Sequence, residues 1–264
     1  MTKSEKQEIE ARLNLDKANY WDFVLAQCKN NTPQAAELES YQQKMAERMY
    51  DVAHLNGLSS AKLAPITDGV ADIPAYLSSK PKIMWILKEP YDDFTISGKP
   101  KGGDYSIGDA IRTADLSKTS LTWKNIAKTV HAIFSGKTAE KELTEDEMRS
   151  ALSKIAYINV SKMPAQTSTS DSELKAKFEI WKETLFMQID LYNPDVIIFA
   201  KTFLLFAPYL EIENPPVYQD EDCWCDAYNH NGRILIDTYH PARKGSDYVN
   251  TVADTVRKLA FLAK

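Results

Sequence analysis

Three short apolar runs limit the folds open to this chain more than any other feature of its 264 residues. They occupy residues 82–88, 155–160 and 195–200. Each run is too short for an ordinary helix and is bounded by proline or by polar residues, so we predict three buried strands. Helical patterns separate the runs, which gives the order strand, helix, strand, helix, strand through residues 82–262. This order is typical of an α/β domain with a mainly parallel central sheet and helices on both faces.

The first sixty residues follow a helical pattern instead. Apolar residues recur from Ile9 to Val24, a break follows at residues 30–33, and a second apolar face runs from Leu38 to Val52. Such spacing indicates two amphipathic helices. We therefore predict an N-terminal helical extension, residues 1–60, packed on a main α/β domain of residues 61–264.

Composition narrows the setting and the partners. The chain has three cysteines, so we expect no disulfide framework, and no apolar run approaches the length that crosses a bilayer. The opening residues lack the apolar core of a signal peptide, and we predict a cytoplasmic protein with no membrane partner. A net charge of -5 argues against tight, non-specific binding to duplex DNA. It leaves a local basic groove open, because net charge does not describe its distribution.

Polar side chains follow the predicted strands where a packed core would not select them. Because the carboxyl ends of parallel strands meet at one edge of a sheet, we expect these side chains to line one pocket. There a carboxylate can orient a water molecule, an asparagine amide can read a ligand edge, and a histidine can stabilise a developing anion. The candidates are Lys88, Glu89, Asp92, Asn159, Lys162 and His240.

Four segments in a fixed order carry a resemblance to a known family. They are LKEPYD (87–92), YINVSK (157–162), PDVIIFA (194–200) and DTYHPA (237–242). This series resembles the uracil-DNA glycosylase superfamily, and the resemblance covers roughly residues 80–262. It implies a three-layer α/β/α sandwich with a mainly parallel sheet.

The resemblance also implies roles for individual residues. Glu89, with Asp92, would position the attacking water, Asn159 would hydrogen-bond a flipped base, and His240 would stabilise the departing base. Lys88, Pro90, Tyr91 and Lys162 would complete the substrate site, and Arg243 and Lys244 would contact DNA phosphates. The resemblance implies no cofactor and no metal.

Two functions from different classes follow. The first is an N-glycosylase that hydrolyses the N-glycosidic bond of a flipped or single-stranded uracil or related base, with single-stranded or locally opened DNA as the partner. The alternative is a non-catalytic module that binds a nucleobase, a nucleotide or a protein. Leu87 and Lys88 replace the glycine-led start of the family's first motif, and they favour the alternative.

Ordinary structural explanations stay open for several of these residues. Asn159 could satisfy a loop backbone, and His240 before proline could cap a buried carbonyl. Cys223, Cys225 and His230 have the wrong spacing for a common zinc site, so we predict no metal there. We expect Trp224 and Tyr228 to pack within a β-hairpin.

Overall fold

The computed structural model describes residues 1–30, 35–92, 102–139, 142–165, 169–210, 212, 215–222, 224–242 and 244–261, with residues 23–30 described by their backbone alone. Arg243 and Cys223 lie outside these residues, so the predictions made for them remain predictions.

Nine α-helices and eight strands are found in the described residues. The helices are α1 (Lys3–Asn30), α2 (Ala35–Leu55), α3 (Ile73–Ser78), α4 (Ile107–Thr113), α5 (Leu121–Ser135), α6 (Glu145–Leu152), α7 (Asp171–Tyr192), α8 (Phe203–Phe206) and α9 (Ser246–Val256). The strands are β1 (Ile66–Thr67), β2 (Gly69–Val70), β3 (Ile83–Leu87), β4 (Tyr105–Ser106), β5 (Ile155–Asn159), β6 (Val196–Ala200), β7 (Cys225–His230) and β8 (Arg233–Thr238).

The chain forms two compact units. The first unit contains Met1–Gly69, Glu89–Ser106 and Asn159–Asn193, and the second contains Val70–Lys88, Ile107–Ile158 and Pro194–Lys264. The predicted N-terminal hairpin, α1 and α2, therefore belongs to the first unit together with α7.

Buried polar contacts join the hairpin to α7 within the first unit. The Tyr20 hydroxyl donates to the Met187 carbonyl at 2.9 Å. On α2, the buried Arg48 guanidinium donates to Thr184 Oγ1 at 3.2 Å and to Glu183 Oε2 at 2.7 Å. The guanidinium fork suits two acceptors one residue apart, so α2 is held in one register along α7.

A six-stranded sheet in the order β2-β5-β3-β6-β8-β7 forms the centre of the second unit. Only Gly69 and Asn159, end residues of two strands, are grouped with the first unit. β3 and β8 each pair parallel with β6, and β7 pairs antiparallel with β8. Every residue of β3, β5 and β6 is buried. Strands covered on both faces read as continuous apolar runs, which explains the pattern in the sequence.

Amphipathic helices lie around this sheet. α5 starts at the N-cap Ser120, whose hydroxyl accepts from the Trp123 amide, and it ends at Gly136 with φ 70°. Its buried face packs against α6 and α9 in the second unit. The architecture is a mixed α/β fold with a mostly parallel central sheet and helices around it. In the part of the chain that the structure describes, no helix is both long and apolar enough to span a membrane.

A close backbone approach at Gly69 gives a first testable prediction. A Cβ at Gly69 would lie 2.3 Å from the buried Tyr192 hydroxyl, and φ is 148° there. We expect Gly69→Ala to lower the free energy of unfolding by about 2 kcal/mol, because both the backbone and the packing are strained. Gly57→Ala is the matched control, since Gly57 has φ 66° but nothing within 4 Å of its Cβ position. Urea denaturation of both variants measures the difference, and equal losses would contradict the steric explanation.

Candidate functional site

Glu89 is held firmly within the first unit. Its side chain is 6% exposed, and its carboxylate forms an ion pair with Lys177 of α7 and accepts a hydrogen bond from the Thr169 hydroxyl. An ionised carboxylate has about four lone-pair sites, so these two partners from the described residues do not use its full capacity to accept hydrogen bonds. The structure thus fixes the orientation of Glu89, and its role in positioning water stays a prediction.

Asp92 binds loop backbone. Its Oδ2 accepts hydrogen bonds from the Gly102 amide at 2.9 Å and the Gly103 amide at 3.1 Å. Gly103 has φ 72°, and a Cβ there would lie 2.3 Å from the Ala64 carbonyl oxygen, so only glycine fits. Asp92 therefore stabilises the close-packed backbone at Gly102 and Gly103, and its predicted role in positioning water stays a prediction.

Pro90 and Tyr91 lie between these two carboxylates in the sequence. The Pro90 carbonyl accepts from the Ala165 amide at 3.2 Å, and the Tyr91 carbonyl accepts from the Tyr105 hydroxyl at 3.0 Å. The backbone is thus anchored, whereas the Tyr91 side chain is 57% exposed. An anchored backbone with an exposed ring is compatible with the predicted contact to a base.

Lys162 belongs to a buried polar cluster of the first unit, made of Asp68, Asn159, Lys162 and Gln188. The Lys162 ammonium donates to Asp68 Oδ1 at 2.8 Å, Asp68 Oδ2 at 2.9 Å and Gln188 Oε1 at 2.8 Å. Burial lowers the pKa of Lys162, and the charge of Asp68 opposes that change. All three ammonium hydrogens have an acceptor inside the protein, so the side chain acts structurally in this state and its substrate contact stays a prediction.

Asn159 joins the buried cluster through its donors. Its backbone amide donates to Asp68 Oδ2 at 2.7 Å, and its Nδ2 lies 3.4 Å from the same oxygen. Its Oδ1 is buried without a hydrogen-bond partner among the described residues. An unpaired buried acceptor costs about 1–3 kcal/mol, so this oxygen is a natural binding point for a ligand donor or a buried water.

In the second unit, three adjacent parallel strands place basic side chains at one edge. Ile86 of β3 pairs with Phe199 of β6, and Ala200 of β6 pairs with Thr238 of β8. The residues that follow these strand ends are Lys88, Lys201 and His240, which we call the basic edge. Two of the three were predicted at this place, and Lys201 was not.

His240 is a neutral imidazole at physiological pH. Burial, together with the positive charges of Lys88 and Lys201, lowers the pKa of His240 to about 4. Its Nδ1 lies 3.2 Å from the Ala242 amide and accepts its hydrogen bond. In a neutral ring the other nitrogen then carries the proton, so Nε2–H is a hydrogen-bond donor. The electrostatics therefore produce a neutral donor beside two ammonium charges.

Neighbouring elements of the second unit fix the loop that carries His240. The Asn125 Nδ2 on α5 donates to the Pro241 carbonyl at 2.7 Å and to the Lys244 carbonyl at 3.0 Å. The Tyr248 hydroxyl on α9 donates to the Tyr239 carbonyl at 2.7 Å. These contacts preorganise the loop before any ligand binds, which is what electrostatic stabilisation of an anion requires.

An aromatic pair adjoins the basic edge. Trp224 precedes β7 and contacts the ring of Tyr239 edge to face, with centroids 5.0 Å apart, and the Lys244 ammonium lies 3.7 Å from the Tyr239 ring centroid. Tyr228 stacks on Phe203, with ring centroids 5.0 Å apart, which agrees with the packing role predicted for Tyr228. Trp224, by contrast, remains 42% exposed.

Asp237 of β8 lies opposite Asp226 of β7 in the antiparallel pair. Burial and, to a lesser degree, the charge of Asp226 raise the pKa of Asp237 to about 7, against the opposing effect of a hydrogen bond from Trp224. A protonated or half-protonated carboxyl thus lies beside the aromatic pair near neutral pH.

A metal centre has no support in the described ranges. They contain no group of three or more His, Cys, Asp or Glu side chains that could hold a metal ion. Cys225 is buried and its thiol sits 3.5 Å from the Thr255 hydroxyl.

Sequence reasoning missed the partners that define these sites. Asp68 and Lys177 lie far along the chain from the residues they bind, and no local pattern marks them. Lys201 could have been found, because it directly follows the third predicted strand, as the predicted candidates follow theirs.

Neither a scan against protein-family models nor a search of curated proteins found a match to this chain.

Proposed function

We propose that this protein is an N-glycosylase that hydrolyses the N-glycosidic bond of a flipped or single-stranded uracil or related base. The finer architecture proposed with it is a three-layer α/β/α sandwich like that of uracil-DNA glycosylases. The four sequence motifs support both proposals, and the mostly parallel sheet is compatible with them.

The hydrogen bond that His240 Nδ1 accepts from the Ala242 amide, which leaves Nε2–H as the donor of a neutral ring, is the observation that carries the function. When a glycosidic bond breaks heterolytically, the base leaves with the bonding electrons and its oxygen becomes negative. A neutral Nε2–H donor can stabilise that oxygen, and the nearby ammonium groups of Lys88 and Lys201 add favourable charge. Because Asn125 and Tyr248 fix the loop, the donor needs no reorganisation as the charge develops.

The other predicted roles are part of the same proposal. Glu89 is assigned to the attacking water, and its two partners leave lone pairs for it. Asn159 is assigned to the base, and its unpaired Oδ1 supplies an acceptor for a base N–H. No metal and no cofactor is part of the scheme.

One observation favours the second candidate, a binding module without catalysis. Glu89 and Asp92 both bind protein groups, namely Lys177 and Thr169 for Glu89 and the backbone of Gly102 and Gly103 for Asp92. Carboxylates with such partners stabilise the local structure. A nucleobase could then bind beside them without hydrolysis of its glycosidic bond.

Base release separates the two candidates. Oligonucleotides carrying uracil or hypoxanthine, single-stranded and duplex, are incubated with the protein and then cleaved at abasic sites. We expect release from the parent protein, and a loss of about 100-fold or more in Glu89→Gln and in His240→Ala, because a positioned base or anion donor contributes at least that factor.

The matched control is Glu179→Gln, which removes an exposed carboxylate of α7 paired with Lys182. Its activity should equal that of the parent. Undiminished release by both Glu89→Gln and His240→Ala would overturn the assignment. Absence of release by the folded parent, with retained binding of uracil-containing strands, would establish the second candidate.

A further inference from the structure

Trp224 combines two properties that packing alone does not require. It is 42% exposed, and its φ is 44°, a conformation that bulky side chains rarely adopt. Strain of this kind persists only where surrounding contacts enforce it, and it concentrates at functional positions. Here the edge-to-face contact with Tyr239 and the hydrogen bond to Asp237 hold the indole in place.

Groups of both signs lie beside Trp224: the Asp237 carboxyl accepts a hydrogen bond from it, and Lys244 supplies positive charge next to Tyr239. Lys244 is fixed over the Tyr239 ring by a cation–π contact, and the basic edge continues through His240, Lys201 and Lys88 along consecutive strands. Lys201 also has a positive φ, 61°, and its amide donates to the Thr238 carbonyl at 2.8 Å. Its exposed side chain therefore starts from a fixed backbone. An exposed aromatic ring with the ammonium groups of Lys244, Lys201 and Lys88 in the same unit matches a stacked base with a phosphate backbone running past it.

We propose that Trp224, Tyr239 and Lys244 form a stacking platform for single-stranded nucleic acid. A base that flanks the excised one stacks on the Trp224 indole, and Lys244 binds the adjoining phosphate. The inference rests on the proposed function for the reaction itself, and it narrows the substrate from a flipped or single-stranded base to a base in an unpaired strand, whose neighbouring bases expose the faces that stacking needs.

Binding of a fluorescein-labelled oligothymidylate of about 15 nucleotides tests the platform by fluorescence anisotropy. We expect Trp224→Ala to weaken binding by about tenfold, whereas Trp224→Phe, which keeps a ring, should retain most of it. Trp21→Ala is the matched control, since Trp21 is 46% exposed and belongs to the first unit, and it should leave binding unchanged. Competition with the same sequence as a duplex and with thymidine monophosphate should be much weaker.

Lys244→Gln gives a second measurement that leaves the Trp224 backbone untouched. The slope of log affinity against log salt concentration should fall by about 0.7, the value for one phosphate contact on a single strand. Lys118→Gln, at an 84% exposed side chain of the second unit, should leave the slope as it is. An unchanged slope in Lys244→Gln, equal binding by Trp224→Ala, or equal affinity for duplex and single strand would each overturn the platform.

The two proposals fail separately. If the protein releases bases but Trp224→Ala binds the oligothymidylate as tightly as the parent does, the platform proposal is wrong and the glycosylase proposal stands. If Trp224→Ala weakens binding but the parent protein releases no base, the platform proposal stands and the glycosylase proposal is wrong.

Discussion

Replacing Lys162 with methionine is expected to lower the free energy of unfolding by about 3 to 5 kcal/mol. The side chain is fully buried, and Asp68, its ion-pair partner, is fully buried too. Methionine fills nearly the same volume, but it leaves the Asp68 carboxylate without its counter-charge in a site shielded from bulk solvent. Removing one member of a buried pair is costly for that reason, even where the intact pair adds little net stability. Urea denaturation at neutral pH measures the loss.

A double variant separates the stranded charge from lost packing. Asp68→Asn combined with Lys162→Met removes both charges, and it should recover a substantial part of the stability lost in the single variant. Lys182→Met is the matched surface control, because Lys182 pairs with the exposed Glu179, and its effect should stay below about 1 kcal/mol. A Lys162→Met protein as stable as Lys182→Met would show that the buried pair carries no such penalty.

The pairing within this buried cluster could not be predicted from the sequence. Lys162 follows a predicted strand and was therefore assigned to the substrate site, yet its partner Asp68 lies 94 positions earlier. Asp68 falls in residues 58–80, which proline, glycine and serine mark as irregular. A pairing between such distant residues leaves no local pattern, and burial of a lysine is rare enough to be a poor expectation.

Local patterns, by contrast, located the main elements. The three strand predictions are confirmed as β3, β5 and β6, because strands buried on both faces must be apolar throughout. The two N-terminal helices are confirmed as α1 and α2. Two-residue strands such as β1 and a seven-residue helix such as α4 were missed, because they are too short for a period to show.

The turn of the β7–β8 hairpin determines which residues of the two strands lie opposite each other. Residues 229–232 separate two extended runs in the sequence, and the structure continues β7 to His230 and leaves a two-residue turn, Asn231 with φ 48° and Gly232 with φ 78°. Asn-Gly is well suited to such a turn. The tighter turn sets the register that brings Asp226 opposite Asp237.

Stability is expected to fall as the pH rises from about 4 to about 7, through the contribution of Asp237. Its pKa moves from an ordinary value of 3.8 to about 7 in the folded protein, because burial and then Asp226 disfavour its charged form. Between those two pH values the folded state binds more protons than the unfolded state, so unfolding becomes easier as protons are removed. At 1.36 kcal/mol for each pKa unit the full effect is about 4 kcal/mol, and we expect about 2 to 4.

Asp237→Asn isolates this contribution, because the amide has the same shape, cannot ionise, and can still accept the hydrogen bond from Trp224. Other carboxylates titrate in the same range, so the measured quantity is the difference between variant and parent in urea denaturation at several pH values. That difference should be small near pH 4 and reach about 2 to 4 kcal/mol in favour of the variant at pH 8. Asp226→Asn should give part of the same gain, since it removes the lesser of the two causes. A constant difference across the pH range would mean that Asp237 titrates at its ordinary pKa, and the hairpin would then hold two charged carboxylates side by side without strain.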